Sequence, residues 1–172
     1  LSLPDALPIL LNFLAHGAAI NVLAKLHHAE LSVVDVGVDA DFTGVTNLLH
    51  RKVRGGTRNM LHEAAMTDDE LAQALETGIQ LANAAKEKGQ TLLAVGEMGI
   101  GNTTAASAIT AILTRHPAAL VTGKGTGLDS DAQTRKCRIV EAILNRHSGH
   151  IGRAGPDIRR EAAPLPAQAP GR

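Results

Sequence analysis

The nine residues 96–104, "GEMGIGNTT", restrict this chain more than any other stretch. They follow the apolar run "TLLAV" (91–95) and precede "AASAITAILT" (105–114). An apolar run, then closely spaced glycines, then a helix-forming segment reads as a strand–turn–helix unit. Glycine is required in such a turn where the backbone takes positive φ or approaches a ligand closely. Bare N–H groups at the start of the following helix form a natural seat for an anion. Glu97, a carboxylate inside that seat, is the residue that needs explaining.

Two phosphate motifs nearly fit and both fail. Gly96, Gly101, Asn102 and Thr103 have the spacing of a triphosphate loop, with Asn102 where a lysine is required. Gly99, Gly101 and Thr104 have the spacing of a dinucleotide turn without its third glycine. A nicotinamide-dinucleotide oxidoreductase is further disfavoured because its ribose-binding carboxylate belongs about 20 residues beyond the turn, not inside it. A single phosphate on the helix N-terminus survives, with Glu97 turned toward ribose hydroxyls. The plain alternative is a tight strand-to-helix turn with Glu97 in solvent, and the residues alone leave it open.

Along the rest of the chain, residues 10–28 show a helical apolar face built on Leu10, Leu14, Ala18, Leu23 and Leu26. "LSVVDVGVD" (31–39) is rich in β-branched residues and reads as a buried strand. Residues 40–62 read as a loop. Thr67 with Glu70 forms a capping box, and the helix it opens runs to Lys88, where Gly89 stops it. "TLLAV" reads as a second strand, and 102–116 as the next helix. Residues 123–130 read as a flexible loop, and a last helix runs from Asp129 or Ser130 to about Asn145. The alternation of strand and helix makes an α/β fold with a parallel sheet, whose ligands sit at the carboxyl ends of strands. Residues 1–9 have no clear period, and the Gly-, Pro- and Arg-rich tail 148–172 reads as disordered.

Composition excludes several functions. Formal net charge is +0, which gives no footprint for nucleic acid or an acidic membrane surface. Aromatic residues are 1%, too few for base-stacking platforms. One cysteine rules out an internal disulfide and a cysteine metal cluster. "LPILLNFLAHGAAINVLA" (7–24) contains His and Asn and reads as buried helix, not as a membrane span. With no leader pattern, a cytoplasmic protein is expected. His27 and His28 suit a helix end, where imidazole complements the dipole. Cys137 reads as a helix-face thiol and "RKVRGGTR" (51–58) as a solvated basic loop, with Arg58 a candidate for approaching phosphate. Asp35 and Asp39, near a strand end, read either as structural or as facing the site.

"GEMGIGNTTAASAITA", preceded by "GGTRNM" (55–60), resembles the nicotinate-nucleotide–dimethylbenzimidazole phosphoribosyltransferases. "NFLAHGAAINVLA" (12–24), "VVDVGVD" (33–39), "GTGLD" (125–129) and Lys136 fit in order and spacing, so the resemblance covers about residues 10 to 147. It implies a Rossmann-like three-layer fold with a parallel sheet and a small helical domain, in a homodimer. It implies phosphoribosyl transfer from nicotinate mononucleotide to 5,6-dimethylbenzimidazole, with no metal and no cofactor. The substrate-binding residues it implies are Glu97, Gly99, Ile100, Gly101, Asn102, Thr103, Gly125 and Lys136. Glu97 takes the ribose side, and the glycine turn and Lys136 hold phosphate and ribose. Without the resemblance, Lys136 reads as a solvated helix lysine.

Two departures accompany it. The family's catalytic base is a glutamate toward the carboxyl end, and no residue here matches it. Much of the family's benzimidazole pocket lies upstream of residue 10, where this chain has "LSLPDALPI". The expectation is therefore a partial domain over 10–147, between a non-matching leader (1–9) and tail (148–172). A catalytically inactive mononucleotide-binding fragment is the alternative reading.

Overall fold

The structure is a computed structural model, and it describes residues 6–123 and 130–151. The chain divides into two compact units, the first ending at Gly101 and the second beginning at Asn102.

In the first unit, α1 (Ala6–Leu14) and α2 (Ala19–Leu26) replace the single helix expected over 10–28. The break has a local cause. His16 adopts φ 61°, and buried Asn21 accepts from the Ala18 N–H at 3.0 Å while donating to the Phe13 carbonyl at 3.0 Å. One side chain thus satisfies backbone groups that a continuous helix would have paired. The stretch Leu7–Leu26 has the length and hydropathy of a membrane span by composition. Folded as two helices, each element rises only about 13 Å, against a hydrocarbon core of about 30 Å. The expectation that this stretch is buried is corrected too: Leu10 and Ala24 are buried, but Val22, Leu23 and Leu26 are exposed.

The strand expected over 31–39 shortens to β1 (Val33–Asp35). The expected loop 40–62 contains a strand, β2 (Leu48–His50), which pairs in parallel with β1. The register is Val33 with Leu48, Val34 with Leu49 and Asp35 with His50. Asn47, in left-handed conformation at φ 62°, turns the chain into β2. Beyond the strands the two segments stay tied by Arg51 N–H to Asp35 O (3.0 Å), Val53 N–H to Val36 O (2.9 Å) and Gly56 N–H to Gly37 O (2.8 Å). Leu10, Phe42 and Leu48 form the core here, with Leu14, Val33, Val38 and Met98 packed against them.

Helix α3 (Asp68–Glu87) starts and stops where its sequence dictates. The Thr67 hydroxyl accepts from the Glu70 N–H at 3.2 Å, and a Glu70 carboxylate oxygen accepts from the Thr67 N–H at 2.7 Å. That reciprocal box, with Asp68 and Asp69 in the first turn, stabilises the helix start by about 1 kcal/mol. Gly89, at φ +77°, ends it. "TLLAV" is not a strand: residues 91–95 join no ladder among the described residues, and Leu92 and Val95 are 88% and 91% exposed. A run of β-forming residues becomes a strand only when a neighbour takes its backbone hydrogen bonds.

The second unit contains α4 (Thr103–Thr114), α5 (Ala118–Val121) and α6 (Ser130–Ile151). Its core is Ala108 and Ala111 of α4, Ala118 of α5, and Val140 and Ile143 of α6. Alanines let helices approach closely, while Val140, 0% exposed, fills the space opposite. Arg115 closes α4 in left-handed conformation, and Pro117 opens α5. Helix α6 outruns its expected end near Asn145, continuing through Ile151 into the expected tail. The described chain is thus a mixture of helices with a small parallel sheet.

Candidate functional site

The carboxyl end of β1 is the first place where ligands of an α/β fold are expected. Asp35 stands there and is tied to the turn that leaves β1. It is 1% exposed, and its Oδ1 accepts from the N–H groups of Gly37 (3.1 Å) and Val38 (2.9 Å). Its Oδ2 lies 3.3 Å from Lys52 Nζ. Lys52 also donates to the Ala40 carbonyl and sits 5.2 Å from the centroid of the Phe42 ring. Of the two readings of Asp35, the structural one holds: it fastens the turn leaving β1. Asp39 is exposed, and one of its carboxylate oxygens lies over Gly55, 2.6 Å from where a Cβ there would stand.

The basic loop is not simply solvated. Arg58 binds Glu70 through both guanidinium arms, Nη1 to Oε2 at 2.5 Å and Nη2 to Oε1 at 3.1 Å. Arg54 Nη1 lies 3.6 Å from Glu70 Oε1. The Arg58 hydrogen bond, then the bond from the Thr67 N–H, holds the Glu70 carboxyl down at about 2. Arg58 is thereby tied to the start of α3, not offered to a phosphate. An open groove of about 620 Å³ lies in this unit between residues 51–53 and α3, and none of the expected site residues lines it.

The glycine turn closes the first unit. Gly99 and Gly101 both adopt φ +79°, the left-handed region that favours glycine. Glu97 is exposed, while Met98, Gly99 and Ile100 are half-buried, Met98 against the core around Phe42. The turn has the backbone geometry that its glycines promised.

In the second unit, α4 begins at Thr103 after Asn102, whose side chain does not cap it. The Asn102 carbonyl already accepts from Ala106 at 2.9 Å, but the first-turn N–H groups have no intrahelical acceptor. Beside this helix end lies Lys136 of α6. Its side chain is buried, at 8% exposure, which overturns the solvated-lysine reading. Its ammonium donates to Thr103 Oγ1 at 2.8 Å and to the Gly123 carbonyl at 3.3 Å. No carboxylate pairs with it among the described residues. Among the described residues this is a buried cation held by two neutral oxygens at the positive end of a helix dipole. Thr103 and Gly123 take two of its three ammonium donors among those residues.

Of the expected residues, the structure thus brings Thr103 and Lys136 together in one hydrogen bond, one residue after Asn102. Gly125 lies outside the described residues. No local pattern signalled the Thr103–Lys136 link, since it joins residues 33 apart. Cys137 follows the plain reading: desolvation, then the Glu141 carboxylate 3.8 Å away, pushes its thiol pKa up, away from a nucleophilic thiolate. No group of three metal-ligating side chains exists among the described residues.

Residues 7–159 match the family profile described as Phosphoribosyltransferase. The chain is 49% identical over 139 residues to the nicotinate-nucleotide–dimethylbenzimidazole phosphoribosyltransferase of Chloroflexus aurantiacus, covering 81% of this chain and 40% of that protein. It is 50% identical over 133 residues to the Geobacter sulfurreducens protein of the same name, covering 77% and 38%. The crystal structure of CobT from Thermus thermophilus superposes with a TM-score of 0.76 at 45% identity, covering 81% of this chain and 42% of that one. The chain therefore spans about 40% of the length of the relatives it matches. A match over most of its residues, at this identity and with this fold, makes the chain a member of the phosphoribosyltransferase family to which the nicotinate-nucleotide–dimethylbenzimidazole enzymes belong.

Proposed function

We propose that this chain supplies the phosphate-holding part of an enzyme that transfers phosphoribosyl from nicotinate mononucleotide to 5,6-dimethylbenzimidazole. The observation that carries the reading is buried Lys136, held at the first residue of α4 with no carboxylate partner among the described residues. A mononucleotide brings one phosphate, and one ammonium with a helix N-terminus offsets that charge without a metal. This explains why Asn102 can stand where a triphosphate loop needs lysine. The glycine turn, with Glu97, Gly99, Ile100 and Gly101, is assigned to the same substrate by the family resemblance, as are Asn102, Thr103 and Gly125. Glu97 then faces the ribose, where positive charge develops as the glycosidic bond breaks.

In the reaction, the bond from the anomeric carbon to the nicotinate nitrogen breaks and its electron pair leaves with nicotinate. A benzimidazole nitrogen attacks the same carbon, and the azole N–H proton passes to a base. The products are nicotinate and α-ribazole 5'-phosphate. The family's base glutamate has no counterpart in residues 1–172, so the part proposed for this chain is binding. A Rossmann-like three-layer arrangement, a cytoplasmic location and a homodimer belong to the same proposal.

Calorimetry of the chain with nicotinate mononucleotide, with and without a chelator, tests the reading. Metal-independent binding that is lost in Lys136→Ala is expected. Binding that requires Mg²⁺, or that survives Lys136→Ala unchanged, overturns it.

A further inference from the structure

Lys136 does not reach its position by its own conformational preference. Four methylenes and a freely rotating ammonium leave many rotamers to a lysine, and ordering them costs up to about 2 kcal/mol. Here the ammonium is buried, and both of its acceptors come from elements other than α6. One is the hydroxyl of Thr103, the first residue of α4, at 2.8 Å. The other is the carbonyl of Gly123, at 3.3 Å. The segment carrying that carbonyl is itself tied to α6, because Gln133 Nε2 donates to the Thr122 carbonyl at 3.2 Å. Gln133 stands one turn before Lys136, so the two side chains reach the same segment from one helix face.

The shorter bond decides where the nitrogen sits. Thr103 Oγ1 is fixed by a β-branched side chain with few rotamers at the start of a helix. It thereby places the ammonium next to the N–H groups that α4 leaves open. From these contacts we infer that Thr103 is a positioning residue: its hydroxyl holds the Lys136 ammonium at the α4 N-terminus, so that cation and backbone donors converge on one anion. The inference rests on the phosphate reading for Lys136, and it gives the Thr103 hydroxyl a role through the lysine beside the place at the substrate that the family resemblance gives Thr103.

The test measures the lysine first, without ligand. Reductive methylation of the folded 172-residue chain is followed by mass spectrometry at the peptide carrying Lys136. Thr103→Val keeps the shape and removes the acceptor; Thr103→Ser keeps the acceptor. Methylation of Lys136 should be faster in Thr103→Val and close to the parent rate in Thr103→Ser, with thermal midpoints alike. Inorganic phosphate is then titrated by calorimetry. Thr103→Val should weaken its binding about tenfold, the loss of one hydrogen bond to a charged group, and Thr103→Ser should restore it. An unchanged methylation rate in Thr103→Val overturns the inference, because a hydroxyl that only touched the anion would leave the free lysine as it was. Parent-like phosphate binding in Thr103→Val, while Lys136→Ala loses it, removes the assignment to Thr103 and keeps the phosphate reading. Parent-like binding in Lys136→Ala removes both.

Discussion

Two carboxylates follow apolar runs in this chain, and they fare differently. Asp35 follows "SVV" and Glu97 follows "LLAVG". Asp35 is 1% exposed, with two backbone N–H groups on one oxygen and a lysine on the other. Glu97 is exposed, in a turn whose glycines hold left-handed conformations. The runs that precede them differ in the same way. Val33–Asp35 has β2 to pair with, whereas 91–95 joins no ladder among the described residues. The sequences have similar strand-forming character, so what separates them is the neighbour. A backbone that donates and accepts across a ladder is held by its neighbour; one without a ladder is not.

The largest expected effect breaks the fastened region. Asp35→Ala removes the acceptor of two backbone N–H groups and the partner of Lys52, and should cost about 2–4 kcal/mol. Urea denaturation of the two chains measures it, and a loss under about 1 kcal/mol would mean that water replaces the carboxylate readily. Next comes the glycine turn. Gly101→Val forces a branched side chain to φ +79° and should cost about 1–2 kcal/mol, together with weaker phosphate binding. Retained thermal midpoint and retained binding would show that neither the conformation nor the close approach matters.

The third prediction concerns pH. Glu70 titrates at about 2, below its ordinary 4.5, chiefly because of Arg58. A carboxyl whose folded value is depressed contributes stability that is present above its unfolded value and lost as pH falls through the folded one. Glu70→Gln should therefore be less stable than the parent chain at neutral pH, and the gap should close between about pH 4.5 and 2. Parallel acid-unfolding curves would show that the Arg58 pair contributes nothing to folding. The smallest effect is expected in the exposed run. Leu92→Lys with Val95→Lys should change stability by less than about 0.5 kcal/mol, and amides 91–95 should exchange far faster than those of Val34 and Asp35. Protection of 91–95 in solution, with a marked loss on substitution, would mean that the run finds a strand neighbour there, and the contrast with β1 would collapse.

What was legible in the sequence was local. Thr67 and Glu70 are three residues apart, the spacing of a capping box, and the structure has the box. Gly89 stops α3, and Gly99 and Gly101 take the conformations that made them glycines. The illegible parts depend on contacts distant in the chain. β2 was hidden in a stretch rich in turn and basic residues, because a three-residue strand has too few positions to show a period. The break between α1 and α2 was hidden because Asn21, which sits on the apolar face of a longer helix, turns back to Phe13 and Ala18.

By itself the sequence determined both ends of α3, the left-handed glycine turn and, through "GEMGIGNTT", the family. Each of these depends on residues within one or two turns of each other, where covalent geometry leaves few arrangements. Only the tertiary structure decided that Asp35 is spent on Lys52 and its own turn, that Arg58 is spent on Glu70, and that "TLLAV" goes unpaired. It also decided that Lys136 is a buried cation and not a solvated one. A lysine on a helix can face water or core with equal local comfort. What settles the matter is the pair of oxygens, on Thr103 and Gly123, that the fold brings to its ammonium.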